Sequence, residues 1–467
     1  MIVFARAVGI GVALWVGAGA LASEPIPVRV SEPVELMSIV FRLAGAEEYT
    51  TADGSAAYVR AVDERFGRFK DHEVVRVAKD LRKERGVSFD AVMSLAVHLT
   101  SGRDPALKIP AERARIDARW RPRDAERFLN ALRDFVRESD AAGFFDEQAA
   151  YYARAGAGLS EQIAKRPYRA WMDGFFGVSP GLDFVAVIGL LNGGGNYGVS
   201  VRYPDGRAEI SPVIGASAFG ADGVPVFGDG DVGLIVHEFS HTYTNPLVDK
   251  HRAALLPSAE RIYPFRQALM KPQAYGSAIT MLYESMVRAC SARFLARHGT
   301  QEEYDRQVAA EIQRGFLWTR RLADLLGEYE SNRGDYPTLD EFMPRIEEFF
   351  EREATTMRQS MAMLPRVVRM APANGAKGVD PGTAAIVVEF DRPMARGSVS
   401  IVGNPDRMPK SAGRFEFSDD GRSFTLPVAL EPGREYSFGL NSVYRAGFRS
   451  EDGWPLDPVA VSFRTGE

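Results

Sequence analysis

The chain has 467 residues, which is long enough for two or three domains with cores of their own. Hydrophobic residues make up 45% and charged residues 25%, a globular composition that excludes a mostly disordered chain. The net charge of −5 indicates no basic surface for nucleic acid, and the single cysteine excludes a disulfide scaffold.

The N-terminal segment has the layout of a secretory signal peptide. Arg6 precedes an apolar run from Ala7 to Ala20, and Ala20-Leu21-Ala22 forms a small-residue cleavage site. The alternative is an uncleaved membrane anchor, but the run is shorter than the roughly 20 residues that a spanning helix needs. We therefore expect residues 1–22 to be removed and the mature protein to be secreted or periplasmic, with no membrane span.

The next part of the chain, to about residue 180, has mostly helical patterns. Pro33 opens one helix, and further helices are predicted over residues 71–84, 88–99, 121–137 and 143–165. From Leu182 the pattern changes to short apolar or alternating runs at 182–191, 198–203 and 208–214. These runs, with turn residues between them, predict a small antiparallel meander.

A helix predicted from Asp229 to about Asn245-Pro246 carries the pattern H-E-x-x-H as His237-Glu238-Phe239-Ser240-His241. Residues i and i+4 share one helical face, so two imidazoles can reach one Zn²⁺ while the glutamate contacts water as a general base. On a helical wheel the apolar residues Val232, Ile235, Val236, Phe239 and Tyr243 lie opposite the histidines. The alternative is a pair of solvent-exposed histidines on a surface helix.

A catalytic zinc site needs a third protein ligand and an open position. The metzincin extension would require glycine at 244 and histidine at 247, but the chain has Thr244 and Leu247. The remaining candidates are Asp249, His251, Glu284 and His298. Glu284 lies on a helix predicted from about Gly276 to Arg297, where its alternative role is an i,i+4 ion pair with Arg288.

The region from about Ser31 to Thr356 resembles a family of uncharacterised secreted bacterial proteins classed with zinc metallopeptidases. The matching residues are His237–His241 with Asn245-Pro246, and the segment Tyr283–Ala289 around Glu284. The chain departs from the family pattern at Tyr283 and Ser285, where similar proteins have Asn and His. The resemblance implies a gluzincin-like site in which His237, His241 and Glu284 bind Zn²⁺ and Glu238 is the base.

The C-terminal part, from Leu364, has about seven short strand patterns separated by turns, which predicts a β-sandwich of about 100 residues. Segments 371–376, 379–381 and 388–394 resemble bacterial immunoglobulin-like domains of the surface-layer-protein type. Such modules act as spacers or binding modules. We therefore expect any envelope or surface ligand to bind in this domain.

These patterns together predict a mainly helical α+β zincin-like metallopeptidase domain at residues 23–363, with a small antiparallel sheet. An all-β immunoglobulin-like sandwich follows at 364–467. The expected activity is zinc-dependent hydrolysis of a peptide or protein substrate, in which Glu238 moves a proton from water to the leaving amine.

Tyr275 is the expected stabiliser of the developing oxyanion, with Tyr243, Tyr283, Arg288 and His298 as alternatives. An edge strand near 198–201 is a candidate to bind the substrate backbone, and the alternative is that Val199 and Val201 are ordinary core residues. Two other functions remain open at this point. One is an envelope binding or adhesion protein with a structural or decayed zinc site, and the other is a zinc hydrolase that cleaves a non-peptide amide.

Overall fold

The computed structural model of the chain describes residues 25–51, 57–113, 116–177 and 181–467. The predicted signal peptide, residues 1–22, lies outside these ranges. Within the described part of the chain, no helix combines the length and the apolar character needed to cross a bilayer.

Helices dominate the described residues before 178, as predicted. They are α1 (Glu32–Leu43), α2 (Ala57–Phe66), α3 (Glu73–Arg85), α4 (Asp90–His98), α5 (Pro122–Ser139), α6 (Ala141–Ala164) and α7 (Tyr168–Phe176). α1 has Pro33 in its first turn, where a missing N–H costs no hydrogen bond, and its residues 34–41 are all buried. α3 ends at Gly86, whose φ of +67° is a left-handed conformation that glycine adopts without strain.

The predicted antiparallel meander is wrong, because the strands form two small sheets with mostly parallel pairing. The strands are β1 (Val28–Val30), β2 (Leu182–Phe184), β3 (Ala186–Gly189), β4 (Ser200–Arg202), β5 (Ala208–Ile210) and β6 (Val213–Gly215). One sheet has the order β1-β3-β6 and is entirely parallel. The other has the order β2-β5-β4, and only its β4–β5 pair is antiparallel.

The cause is a division of the apolar run at Val185. Its first half pairs with β5 and its second half with β6, so one run supplies strands to both sheets. β3 is buried along its whole length, as expected for the central strand of a parallel sheet that is covered on both faces. The third strand of this sheet, β1, comes from the N-terminal side of the helical region.

A second group of helices follows the two sheets. These are α8 (Asp229–Lys250), α9 (Arg252–Met270), α10 (Ala278–His298), α11 (Gln301–Arg314), α12 (Thr319–Ser331) and α13 (Leu339–Ala362). α10 is central and packs against α8, α9, α11 and α12.

The predicted end of α8 at Pro246 is also wrong, since the helix continues through this residue to Lys250. A proline inside a helix removes the hydrogen bond to the carbonyl four residues earlier, here that of Thr242. Thr242 and Pro246 both line an open groove, so water can replace the missing donor. The helix resumes its usual bonding beyond the proline, where the His251 N–H donates to the Leu247 carbonyl at 2.9 Å.

The C-terminal residues form the predicted immunoglobulin-like sandwich. Its strands are β7 (Val367–Ala371), β8 (Ala376–Val379), β9 (Ala385–Phe390), β10 (Ile401–Val402), β11 (Lys410–Ser411), β12 (Glu416–Phe417), β13 (Ser423–Ala429), β14 (Glu435–Leu440) and β15 (Val459–Thr465). One sheet has the order β10-β14-β15-β8, and the other has β11-β13-β9-β7 with β12 paired to β13. The sequence pattern misses β8, which contains Gly378 at a φ of +67°, and β11, which is two exposed residues long.

The sandwich is docked on the helices rather than held away from them. Arg266 of α9 is only 2% exposed, and its guanidinium donates two hydrogen bonds to Asp457, at 2.8 and 2.9 Å. The Gln313 side chain of α11 donates to the Ser442 carbonyl at 2.7 Å. A buried arginine that lost its carboxylate would be costly, so this pair fixes the position of the sandwich against α9.

Candidate metal centre

The two histidines of the H-E-x-x-H pattern project from α8 on the side away from its core face. Val232, Ile235, Val236 and Phe239 are each at most 2% exposed, as the helical wheel predicts. His237 and His241 remain partly exposed, and their ring centroids are 5.0 Å apart. Burial of one face of α8 therefore turns both imidazoles towards α10.

α10 brings Glu284 to these imidazoles. Its Oε2 lies 3.6 Å from His237 Nε2, and its Oε1 lies 3.7 Å from His241 Nε2. The three ligand atoms lie within 4.8 Å of one another, close enough to hold one metal ion. Two ligands of a tetrahedral zinc, each about 2.0–2.1 Å from the metal, are roughly 3.4 Å apart, so the donor types and spacing fit Zn²⁺.

The other residues considered as third ligand lie elsewhere. Asp249 accepts a hydrogen bond from the Tyr283 hydroxyl at 2.5 Å. His251 contacts the carboxylates of Asp340 and Glu347 at 3.0 and 2.7 Å. His298 packs against a phenylalanine ring at the end of α10. Among the described residues, only His237, His241 and Glu284 form a group that could hold a metal.

Asn245 orients one of the two imidazoles, a role that the H-E-x-x-H pattern alone does not predict. Its Oδ1 lies 3.2 Å from His241 Nδ1 and can accept the proton of that nitrogen. This tautomer leaves the lone pair of Nε2 directed at the Glu284 carboxylate. The available signal was spacing, because Asn245 follows His241 by four residues on the same helix.

Arg288 links Glu284 to α11, so the ion pair considered as an alternative role for Glu284 is present together with the histidine cluster. The Arg288 Nη2 donates to Glu284 Oε2 at 2.8 Å, and Nη1 donates to Glu311. Arg288 is 5% exposed. Burial alone would lower the pKa of its guanidinium, but Glu311 and Glu284 hold that pKa above its usual range. Glu311 was not predicted, since its position depends on how α11 packs.

Glu238 lies beside the cluster, against the backbone that leads into β4. A Cβ built on Gly198 would lie 2.0 Å from Glu238 Oε2, so only glycine leaves room for the carboxylate in this position. Burial, with a smaller contribution from Glu284, raises the pKa of Glu238 to about 8, while Arg288 opposes the shift. Burial, with Arg288 and His241, lowers the pKa of His237 well below its usual value, and a neutral imidazole is the form that binds metals.

Of the three tyrosines considered for the oxyanion, Tyr275 is the one that lines the cleft beside His237 and Glu238. Its hydroxyl accepts a hydrogen bond from Arg288 Nη2 at 2.5 Å, and burial raises its pKa to about 12. The hydroxyl is therefore protonated at neutral pH and has its own hydrogen to donate. The ring of Tyr243 instead stacks on that of Phe176, with the ring centroids 4.3 Å apart, and the Tyr283 hydroxyl donates a hydrogen bond to Asp249.

Two cavities, each of about 730 Å³, meet at His237, Glu238 and Tyr275. The first lies between α8, α10 and α11, and we call it the α11 cavity. The second follows residues 196–200 and Arg202, and we call it the edge groove. β4 is an edge strand of its sheet, as the predicted edge near 198–201 requires. The candidate metal centre therefore lies midway along an extended cleft.

Comparisons with known proteins divide the chain at the same place as the fold. A family model described as "Domain of unknown function (DUF4932)" matches residues 26–348, and one described as "Bacterial Ig-like domain" matches residues 363–465. The second match confirms the predicted immunoglobulin-like domain. No curated protein matches the chain.

Two solved structures of the surface-layer protein SbsC are similar to parts of the chain. One, of domains 1–6, is 18% identical with a TM-score of 0.17 and covers 54% of this chain and 35% of its own. The other, rSbsC(31-844), is 14% identical with a TM-score of 0.18 and covers 85% of this chain and 46% of its own. The chain thus spans less than half of either structure, and TM-scores this low do not establish a shared overall fold.

Proposed function

We propose that this chain, which belongs to the DUF4932 family, is a secreted zinc-dependent peptidase. The observation that carries the proposal is the convergence of His237, His241 and Glu284 in a cleft, with Glu238 beside them. Two imidazole nitrogens and one carboxylate are a donor set of catalytic zinc sites, which keep a fourth position open. The N-terminal signal-peptide pattern supports the secreted location.

The residues around the cluster can take separate roles in the hydrolysis of an amide bond. A bound zinc ion supplies an acidic water and polarises the substrate carbonyl. Glu238 accepts a proton at its carboxylate and later delivers it to the leaving amine. The Tyr275 hydroxyl, held by Arg288, donates to the oxygen on which negative charge develops.

The edge groove supports a peptide as the substrate. β4 is hydrogen-bonded to β5 on one side only, and its residues Ser200 and Arg202 line the groove that contains His237 and His241. An extended peptide can pair with such an edge through its own backbone, which binds the chain with little dependence on side chains. Pairing here would carry the scissile amide past Glu238, which lies against Gly198.

A second candidate function is binding to a cell-envelope ligand, with zinc in a structural role. The match of residues 363–465 to the bacterial Ig-like family favours it. The two functions differ in what they require of Glu238. A structural zinc site needs no general base, whereas hydrolysis depends on one.

The test begins with zinc per chain in the purified full chain, for the wild type, Glu284→Ala and a matched control, His298→Ala, which removes a histidine outside the cluster. We expect about one zinc in the wild type and control, and little in Glu284→Ala. We expect Glu238→Gln to retain zinc but to lose the ability to cleave a mixed pool of capped peptides. Mass spectrometry of the pool measures the cleavage. No zinc in the folded wild type would refute the metal site. Zinc with undiminished cleavage in Glu238→Gln would refute the mechanism.

A further inference from the structure

We propose that the α11 cavity binds a carboxylate group of the substrate, carried either by an acidic side chain or by the chain terminus. This inference rests on the proposed function, because it takes the α11 cavity and the edge groove as two arms of one substrate cleft. The cavity reaches His237 and Glu238 at one end, so a group bound in it would be attached close to the scissile bond.

One face of α11 supplies the charge. Arg306, Ala310 and Arg314 recur every four residues and line the cavity, and Gln307 lies beside them. Arg306 is largely exposed, and its guanidinium pairs with Glu302, one helical turn away, at 3.5 Å. A contact of that kind is weak in water, so the guanidinium can turn to a bound anion at little cost.

The lining of the cavity includes four arginines and three glutamates. Glu311 accepts hydrogen bonds from both Arg288 and Arg314, the latter at 2.9 Å. Arg288 also donates to Glu284, but a metal on Glu284 would take up that negative charge. Two arginines would then share one carboxylate, and a substrate carboxylate would restore the balance. Arginine suits this task because its planar guanidinium can bind a carboxylate through two hydrogen bonds.

The cavity is also large enough for a side chain and its neighbouring backbone. Its volume of about 730 Å³ is within the range of small-ligand sites. Phe294 and Leu295 of α10 provide apolar wall for the methylene groups that precede a carboxylate. Tyr444, which is 73% exposed, reaches the rim from the immunoglobulin-like domain. The docked sandwich therefore helps to enclose the cavity.

The experiment measures retention of three pools of hexapeptides by the immobilised full chain. The first pool has Glu at one fixed position and both termini capped, and the second has Gln at that position. The third is the Gln pool with a free C-terminal carboxylate. The immobilised protein is Glu238→Gln supplied with zinc, because this variant should not cleave the peptides during the measurement. The metal-free wild type is measured in parallel. Arg306→Gln and Arg314→Gln test the cavity, and Arg297→Gln on the exposed surface of α10 is the control with the same change in charge.

We expect about tenfold stronger retention of a carboxylate-bearing pool than of the capped Gln pool. Preference for the first pool identifies a side-chain carboxylate, and preference for the third identifies the chain terminus. Each cavity variant should reduce the preference, and Arg297→Gln should not. Equal retention of all pools, or an equal effect of Arg297→Gln, would overturn the inference. A wild type that takes up no zinc when zinc is supplied, yet keeps the preference, would refute only the peptidase. Zinc-dependent cleavage without the preference would refute only the carboxylate site.

Discussion

Replacement of Asn245 by alanine should weaken zinc binding without removing a ligand. The Asn245 Oδ1 lies 3.2 Å from His241 Nδ1 and holds the tautomer whose Nε2 is 3.7 Å from Glu284 Oε1. Without this acceptor, the ring of His241 can rotate and its proton can occupy either nitrogen. Loss of a group that orients a metal-binding histidine typically costs 10–100-fold in affinity, about 1.4–2.7 kcal/mol.

The assay is competition for zinc against a chelator of known affinity, with the wild type and three variants. Asn245→Asp keeps an oxygen acceptor and should retain most of the affinity. Thr242→Ala changes another residue that lines the edge groove and should leave affinity unchanged. Thermal unfolding of the metal-free proteins checks that each variant is folded. An Asn245→Ala protein that binds zinc within twofold of the wild type would refute the orienting role.

Three further predictions concern the base, a buried acid and the domain contact. Gly198→Ala should keep zinc but lower peptide cleavage at least tenfold, because its Cβ would displace the Glu238 carboxylate; unchanged kcat would contradict this. Since burial raises the pKa of Glu35 to about 7 from 4.5, its ionisation should lower the free energy of unfolding by about 3 kcal/mol as pH rises from 4.5 to 7. Urea denaturation at pH 5 and pH 8 should show this decrease in the free energy of unfolding for the wild type but not for Glu35→Gln. The same pH dependence in both proteins would contradict the prediction. Asp457→Asn should lower the free energy of unfolding by about 1.5–3 kcal/mol through Arg266, and calorimetry would disprove this if the melting temperature did not change.

Local patterns predicted the helices well, and they predicted the two histidines of the site because i,i+4 spacing fixes a shared helical face. Local patterns do not predict the third member of the cluster, Glu284. Asp249, His251, Glu284 and His298 were all compatible with the sequence, and the choice depends on which helix packs beside α8. That packing is long-range, so Glu284 was favoured by resemblance and brought to the histidines by α10.

The sheets show where local reasoning fails. The sequence pattern located the apolar and alternating runs correctly. However, the spacing of apolar residues and the positions of turn residues do not indicate which distant strand will pair in parallel with a given run. β1 pairs with β3 across more than 150 residues, in the register Val28 to Ala186. The N-terminal strand was therefore missed, and a local meander was predicted in its place. The same limit applies to Glu311, which reaches Arg288 from another helix.

The ion pairs around Glu284 also bear on how the proposed zinc would bind. In many small zinc domains the ligands come together only when the metal binds, so removal of the metal unfolds the protein. Here α8 and α10 share a large apolar core, and Arg288 already pairs with both Glu284 and Glu311 of α11. The metal-free cluster is thus held in place by packing and by Arg288, and zinc would complete a preformed site. Chelation should accordingly abolish cleavage and leave the helical circular dichroism unchanged, whereas cooperative unfolding on chelation would show that the metal is a structural element of the fold.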